Sequence, residues 1–237
     1  MTTMPFPARD YLPVLAELTA GFTAALRTGD PAAPVPDCGD WTLADLGTHL
    51  GNVHRWAATI VTTGEVQPQN FETAPGADLT SWYAESAQIL LDVLGAADPE
   101  APCWQFTGAA SIKAFWFRRQ VHETAVHLAD AGGGHLIGPA VAADGVDEVL
   151  GSFLPRVTRW HPVPQLPGPV TLHATDTGDT WTVHPGEPPA LGPAADGAAS
   201  VEAPARDLLL RLWKRTGPEP RVEGDAAKAL LAAPLTP

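Results

Sequence analysis

Apolar residues recur at spacings of three and four in four successive stretches of the chain, the period of a helix with one buried face. In residues 8–28 the pattern is Tyr11, Leu15, Leu18, Phe22, Ala25 and Leu26, closed by the Gly29-Asp30-Pro31 breaker. A proline-rich loop follows. Leu43, Leu46, Leu50, Val53, Ala57 and Ile60 then predict a second helix to about residue 63, with a capping residue offered by Asp40-Trp41-Thr42. Gly47 and Gly51 inside it either weaken it or let a neighbour approach closely. Leu79, Tyr83, Ala87, Leu90 and Leu94 predict a third helix over 79–95, closed by Pro99 and Pro102. The fourth spans 111–130, and Gly132-Gly133-Gly134 with Pro139 punctuates its end. Four helices with moderately long connections predict an antiparallel bundle, with room for a crossover.

Past the glycine run the period changes. A helix near 141–156 precedes two short alternating runs, PVTLHATD and DTWTVHP, which a Gly178-Asp179 turn joins as a hairpin. PARDLLLRLWKR reads as a further helix, with Pro204 in its first turn and Gly217 beyond its end. The Ala/Gly/Pro-rich stretch 185–200 reads as a loop. The expected fold is therefore α+β with two domains: a four-helix bundle over 1–138 and a small α+β domain over 139–237.

Composition narrows the partners. Of the 237 residues 45% are hydrophobic, ample for a buried core, and the formal net charge is −13. That charge repels nucleic acid and anionic membranes, which leaves small molecules or proteins. MTTMPFPARD has no basic segment followed by an apolar one, and no apolar run reaches the ~18 residues of a membrane span. The expectation is a cytoplasmic protein. Cys38 and Cys103 are too few for a disulfide framework and read as reduced thiols.

The chemistry concentrates in RQVHETAVHLAD, residues 119–130. It nearly spells H-E-x-x-H, in which two histidines one turn apart bind zinc, but the second histidine comes one residue late. His122 and His127 lie about 140° apart around a helix, whereas Glu123 and His127 lie only about 40° apart. Any metal here is therefore held by Glu123 and His127. On the second helix His49 shares a face with Leu46, Val53 and Trp56, with Asp45 one turn earlier as a partner for its ring. His54 points about 140° away from it. His49, Glu123 and His127 would form a set of two histidines and one carboxylate with an open position, a catalytic composition. A Glu–His pair at this spacing is equally an ordinary surface pair, and Arg118, Arg119 and Asp130 fit a solvated rim; periodicity does not decide between these.

Two of these stretches carry a resemblance. DCGDWTLADLGTHLGNVHRWA resembles the second-helix signature, and FWFRRQVHETAVHLADA the fourth-helix signature, of the mycothiol-dependent maleylpyruvate isomerase family in the DinB-like metal-binding superfamily. AADGVDEVLGSFLPR, LHATDTGDTW and PARDLLLRLWKR are similar to its second domain. The resemblance implies a divalent metal, usually zinc, on His49, Glu123 and His127, with mycothiol as thiol cosubstrate. Gly47 and Leu128 depart from the family pattern. The implied chemistry is a metal-activated thiolate adding to an electrophilic small molecule, as an isomerase or an S-transferase. Arg119 and, second, Arg215 are the expected catalytic cations that hold substrate carboxylates. The rival is a metal-stabilised binding or regulatory protein, which a fourth ligand such as His54 or Cys103 would favour.

Overall fold

The computed structural model describes residues 6–73, 78–107 and 111–237. The chain divides into two compact units, one ending at Leu136 and the other spanning Ile137–Pro237. Four long helices build the first: α1 (Tyr11–Thr28), α2 (Leu43–Thr63), α3 (Leu79–Ala96) and α4 (Ala114–Asp130). The main packing runs in the cyclic order α1, α3, α2, α4, and α1 also touches α2. No described helix is long and apolar enough to cross a membrane.

Local chemistry sets the ends of α2. Thr42 and Asp45 form a reciprocal capping box, and Gly64 at φ 75 closes the helix in the left-handed region. This corrects the expectation for Asp45: its Oδ2 accepts from the Thr42 backbone N–H at 2.9 Å and hydroxyl at 2.7 Å, and it does not serve His49. The glycines of α2 permit close approach. A Cβ on Gly51 would lie 2.2 Å from the Trp82 ring of α3, and one on Gly47 would lie 2.9 Å from Leu26 of α1. Phe22, Leu46, Leu50, Ile60, Tyr83, Leu90, Trp116 and Phe117 are fully buried and form this unit's core. Each contributes roughly 1.5–3 kcal/mol.

The fourth helix starts at Ala114 instead of residue 111. Ser111 and Ile112 are tied to the 101–103 strand-like segment, Cys103 N–H donating to Ser111 O at 2.8 Å and Ile112 bridging Pro102, so their backbone groups are spent before the helix begins.

The second unit begins with α5 (Pro139–Glu148), with Pro139 in its first turn. The single helix expected over 141–156 changes hand-hold midway. A π-helical turn, Val149–Phe153, is followed by a 3-10 segment, Leu154–Arg159, in which Pro155 lacks the N–H that an α-helix requires. Five strands follow: β1 (Val170–Ala174), β2 (Thr180–His184), β3 (Ala190–Gly192), β4 (Ala199–Ala203) and β5 (Arg221–Glu223). The sheet order is β3-β2-β1-β4-β5, antiparallel except for the parallel β1–β4 pair. The β1–β2 hairpin turns at Gly178, φ 80. Strands β3 and the start of β4 lie in the 185–200 stretch that composition marks as loop. Two further helices, α6 (Ala205–Leu212) and α7 (Asp225–Ala232), pack on β1 and β4. Val170, Leu172, Val201, Leu208, Leu209 and Leu230 are fully buried there.

Candidate metal centre

Packing of α2 against α4 brings His49, Glu123 and His127 together. The His49 and His127 rings stand 5.1 Å apart at 80°. Glu123 Oε1 lies 3.5 Å from His49 Nε2 and 3.4 Å from His127 Nε2. The three ligand atoms lie within 4.8 Å of one another, and among the described residues this group has no fourth member. Two imidazole nitrogens and one carboxylate oxygen facing one point suit a divalent ion with an open position. The site is partly accessible: the His49 side chain retains 26% exposure, against 10% for His127.

Each of these three side chains is braced. Glu123 turns Oε1 to the histidines and Oε2 to the buried Arg119 guanidinium, which donates to it. His127 lies on its Nδ1 side 2.9 Å from Asp130 Oδ2, whose side chain has no exposure. The Cys38 thiol donates to the same oxygen at 3.4 Å. His49 sits between aromatic rings, Trp41 at 4.9 Å and Phe71 at 6.0 Å between centroids. Phe71 also lines a cavity of about 270 Å³ with Asn52, Arg55, Trp56 and Thr59 of α2.

Cys38 and Trp41 reach the site because the proline-rich loop before α2 folds back on itself. Leu43 N–H donates to Ala33 O at 2.9 Å, Val35 N–H to Trp41 O at 2.8 Å, and Cys38 N–H to Val35 O at 3.0 Å. Gly39, at φ 65, makes the tight turn between them.

Charge is unevenly shared. Burial alone would raise the Glu123 carboxyl, but the Arg119 charge and hydrogen bonds from His127 and His49 hold it well below the ordinary carboxylate range. Burial disfavours a charged His127, yet hydrogen bonding to Asp130, then Cys38 and Glu123, raises it well above the ordinary histidine value. An ion arriving here meets an ionised carboxylate and must displace a proton from His127.

The remaining histidines of α2 and α4 stand apart from this cluster. His54 is fully buried, with Nδ1 3.0 Å from Gln120 Oε1 and Nε2 3.3 Å from the Tyr83 hydroxyl. Burial, the largest influence, lowers it to about 4, so it is neutral. His122 is also buried. The Cys103 thiol donates to Ile60 O at 3.5 Å. Neither His54 nor Cys103 joins the ligand group. Asp130 and Cys38 are the participants that sequence reasoning did not assign to the site. Asp130 stands three residues after His127 on the same helix face, a legible signal; Cys38 comes from a loop and leaves none.

The profile described as Mycothiol maleylpyruvate isomerase N-terminal domain matches residues 12–132, and that of the MDMPI C-terminal domain matches residues 140–233. The chain belongs to the mycothiol maleylpyruvate isomerase family. A solved structure of the mycothiol-dependent maleylpyruvate isomerase is similar in fold, with a TM-score of 0.70 and 13% identity, covering 96% of this chain and 99% of that one. A histidine-to-alanine mutant of that enzyme matches with a TM-score of 0.65, 13% identity and coverage of 93% and 99%. No curated protein matches at a significant level.

In this member of the mycothiol maleylpyruvate isomerase family the two departures from the signature fall in packing. Gly47 abuts Leu26 and Leu79, and Leu128 is fully buried beside Gly21. Arg215 belongs to the second unit, where its guanidinium donates to Trp213 O at 2.8 Å.

Proposed function

We propose that this protein is a metal- and mycothiol-dependent cytoplasmic enzyme acting on an electrophilic small molecule, as a maleylpyruvate-type isomerase or a thiol S-transferase. In this reading residues 1–138 form the metal-binding bundle and 139–237 the second domain. The observation that carries it is the convergence of His49 Nε2, Glu123 Oε1 and His127 Nε2, with no fourth such group among the described residues, in a chain of this family. When bound, a divalent ion, zinc by its suitability for such donors, lowers the pKa of a coordinated thiol and so supplies a nucleophile for activated double bonds at neutral pH.

The chain's own residues do the rest. His49 and His127 would give two neutral donors and Glu123 one negative oxygen, so a divalent ion held there would keep net positive charge. Arg119 fixes Glu123 through Oε2 and leaves Oε1 directed at His49 and His127, where it would hold the ion. A substrate carboxylate would compete with Oε2 for that guanidinium. Arg215 is the second cation assigned to substrate carboxylates, and Arg215→Ala is expected to raise KM selectively for carboxylate-bearing electrophiles. Trp41 and Phe71 flank His49 with apolar surface on one side of the ligand set.

The test is to incubate metal-loaded and metal-stripped protein with mycothiol and a panel of electrophiles that includes maleylpyruvate, reading products by mass spectrometry. Metal-dependent isomerisation or S-conjugation is expected. Equal rates with and without metal would exclude thiol activation by an ion, and no turnover across the panel would make this a binding protein.

A further inference from the structure

Beyond the three ligands, the contacts on the far side of His127 form a chain of their own. Asp130 Oδ2 lies 2.9 Å from His127 Nδ1, a hydrogen-bond distance, and a carboxylate oxygen accepting there takes its hydrogen bond from Nδ1–H. A neutral imidazole protonated at Nδ1 has its lone pair on Nε2, the nitrogen that lies 3.4 Å from Glu123 Oε1. Asp130 Oδ2 is itself held by the Cys38 thiol at 3.4 Å, and the Asp130 side chain has no exposure. We infer that Asp130, braced by Cys38, is a positioning residue that fixes the tautomer and direction of His127 and thereby sets the affinity of the metal centre. This rests on the metal reading above.

The geometry also offers a competitor. Cys38, His127 and Asp130 have ligand atoms within 4.8 Å of one another and could themselves surround an ion. Both groups need His127, and a neutral imidazole has one lone pair, so a single ion is held on one side or the other. The 2.9 Å contact between Nδ1 and Oδ2 is a hydrogen-bond distance, and it leaves Nε2 facing Glu123 Oε1 as the nitrogen available to an ion. Carboxylates that orient a ligating histidine in this way typically change metal affinity by about 10- to 100-fold.

The experiment is a cobalt(II) titration of the metal-stripped full-length protein without thiol, followed by visible absorption and by competition with a chromophoric chelator. Wild type is compared with Asp130→Asn, Asp130→Ala, Cys38→Ser and Cys38→Ala, and thermal unfolding of each metal-free protein is recorded. Asp130→Asn keeps shape and an acceptor but loses the charge, so about a tenfold weaker cobalt affinity is expected, and Asp130→Ala should approach 100-fold. Cys38→Ala should fall between wild type and Asp130→Asn, and Cys38→Ser, which keeps a donor, should restore wild-type affinity. The d–d bands should shift in Asp130→Ala, a change that loss of stability alone does not produce. If Asp130→Ala does not fold, Asp130→Asn and the Cys38 pair decide. Wild-type affinity in Asp130→Asn would overturn the positioning role. A sulfur-to-cobalt charge-transfer band in wild type, lost in Cys38→Ala, would overturn it too, by placing the ion on the Cys38 side. Failure of wild type to bind cobalt would instead sink the metal reading on which the inference rests.

Discussion

His49 and His54 leave the same helix five residues apart and enter opposite worlds. His49 faces Glu123 and His127, keeps some contact with solvent, and stands among groups whose charges are strongly biased. His54 is fully buried between an amide and a phenol, neutral partners that satisfy both ring nitrogens. The difference teaches what makes a histidine available to a metal. Burial with neutral partners gives a stable, uncharged core residue. An anionic neighbour facing Nε2 in a partly accessible site suits the ligand role proposed for His49.

The sharpest way to break this contrast is to remove each ring. His49→Ala or His127→Ala should abolish metal binding and turnover together, because losing one of three protein ligands collapses the site. His49→Ala should leave the unfolding of the metal-free protein within about 0.5 kcal/mol, as for most partly exposed positions. His54→Ala should do the reverse, keeping metal affinity per folded molecule while costing roughly 3 kcal/mol or more through a cavity and stranded Gln120 and Tyr83 groups. Calorimetric titration and denaturant unfolding of the same samples check both halves.

Arg119→Ala tests the charged side next. Stripped of its guanidinium, Glu123 Oε2 loses a charge-assisted partner, about 1.5–3 kcal/mol, and metal affinity should fall by about ten- to 150-fold. Unchanged affinity would remove Arg119 from the metal centre and return it to substrate binding alone.

Acid separates the two histidines by sign. His54 falls to about 4 in the fold from 6.5, so between those values the unfolded chain binds more protons. Stability therefore rises with pH across this window and is lost as pH falls, by about 2 kcal/mol from pH 6.5 to 5. His127 is raised, so its contribution is fully present below 6.5 and is lost only as pH rises towards its folded value. Unfolding of metal-free wild type and His54→Gln across pH 5–6.5 isolates the first effect, which the variant should lack. The smallest expected change is in Tyr83→Phe, which removes one neutral hydrogen bond to His54 and should cost about 0.5–1.5 kcal/mol with no effect on metal affinity.

Much of this was legible in the chain, unevenly. The three-and-four spacing of Leu46, Leu50, Val53 and Ile60 located α2, and the 40° between Glu123 and His127 against 140° between His49 and His54 sorted the histidines by face, as the contacts of the fold now do. The spacing of Asp45 suits both the helix start and the next turn, and in the fold the capping box takes its carboxylate. Cys38 could not be placed, since loop residues carry no periodicity. Strand β4 escaped notice because Ala199, Val201 and Ala203 alternate too weakly in size to stand out from an Ala/Gly/Pro-rich stretch. Short edge strands such as β3 and β5, three residues each, are defined by their partners and not by their own pattern.

The most direct measurement is X-ray absorption at the zinc edge of the zinc-loaded protein, recorded before and after addition of mycothiol. Expected at first are two nitrogens at about 2.0–2.1 Å and an oxygen at about 2.0–2.2 Å with no sulfur, and then a sulfur at about 2.3 Å once the thiol is present. Sulfur in the coordination shell before any thiol is added, or a shell unchanged after it, would contradict a three-ligand centre that takes a thiol in its open position.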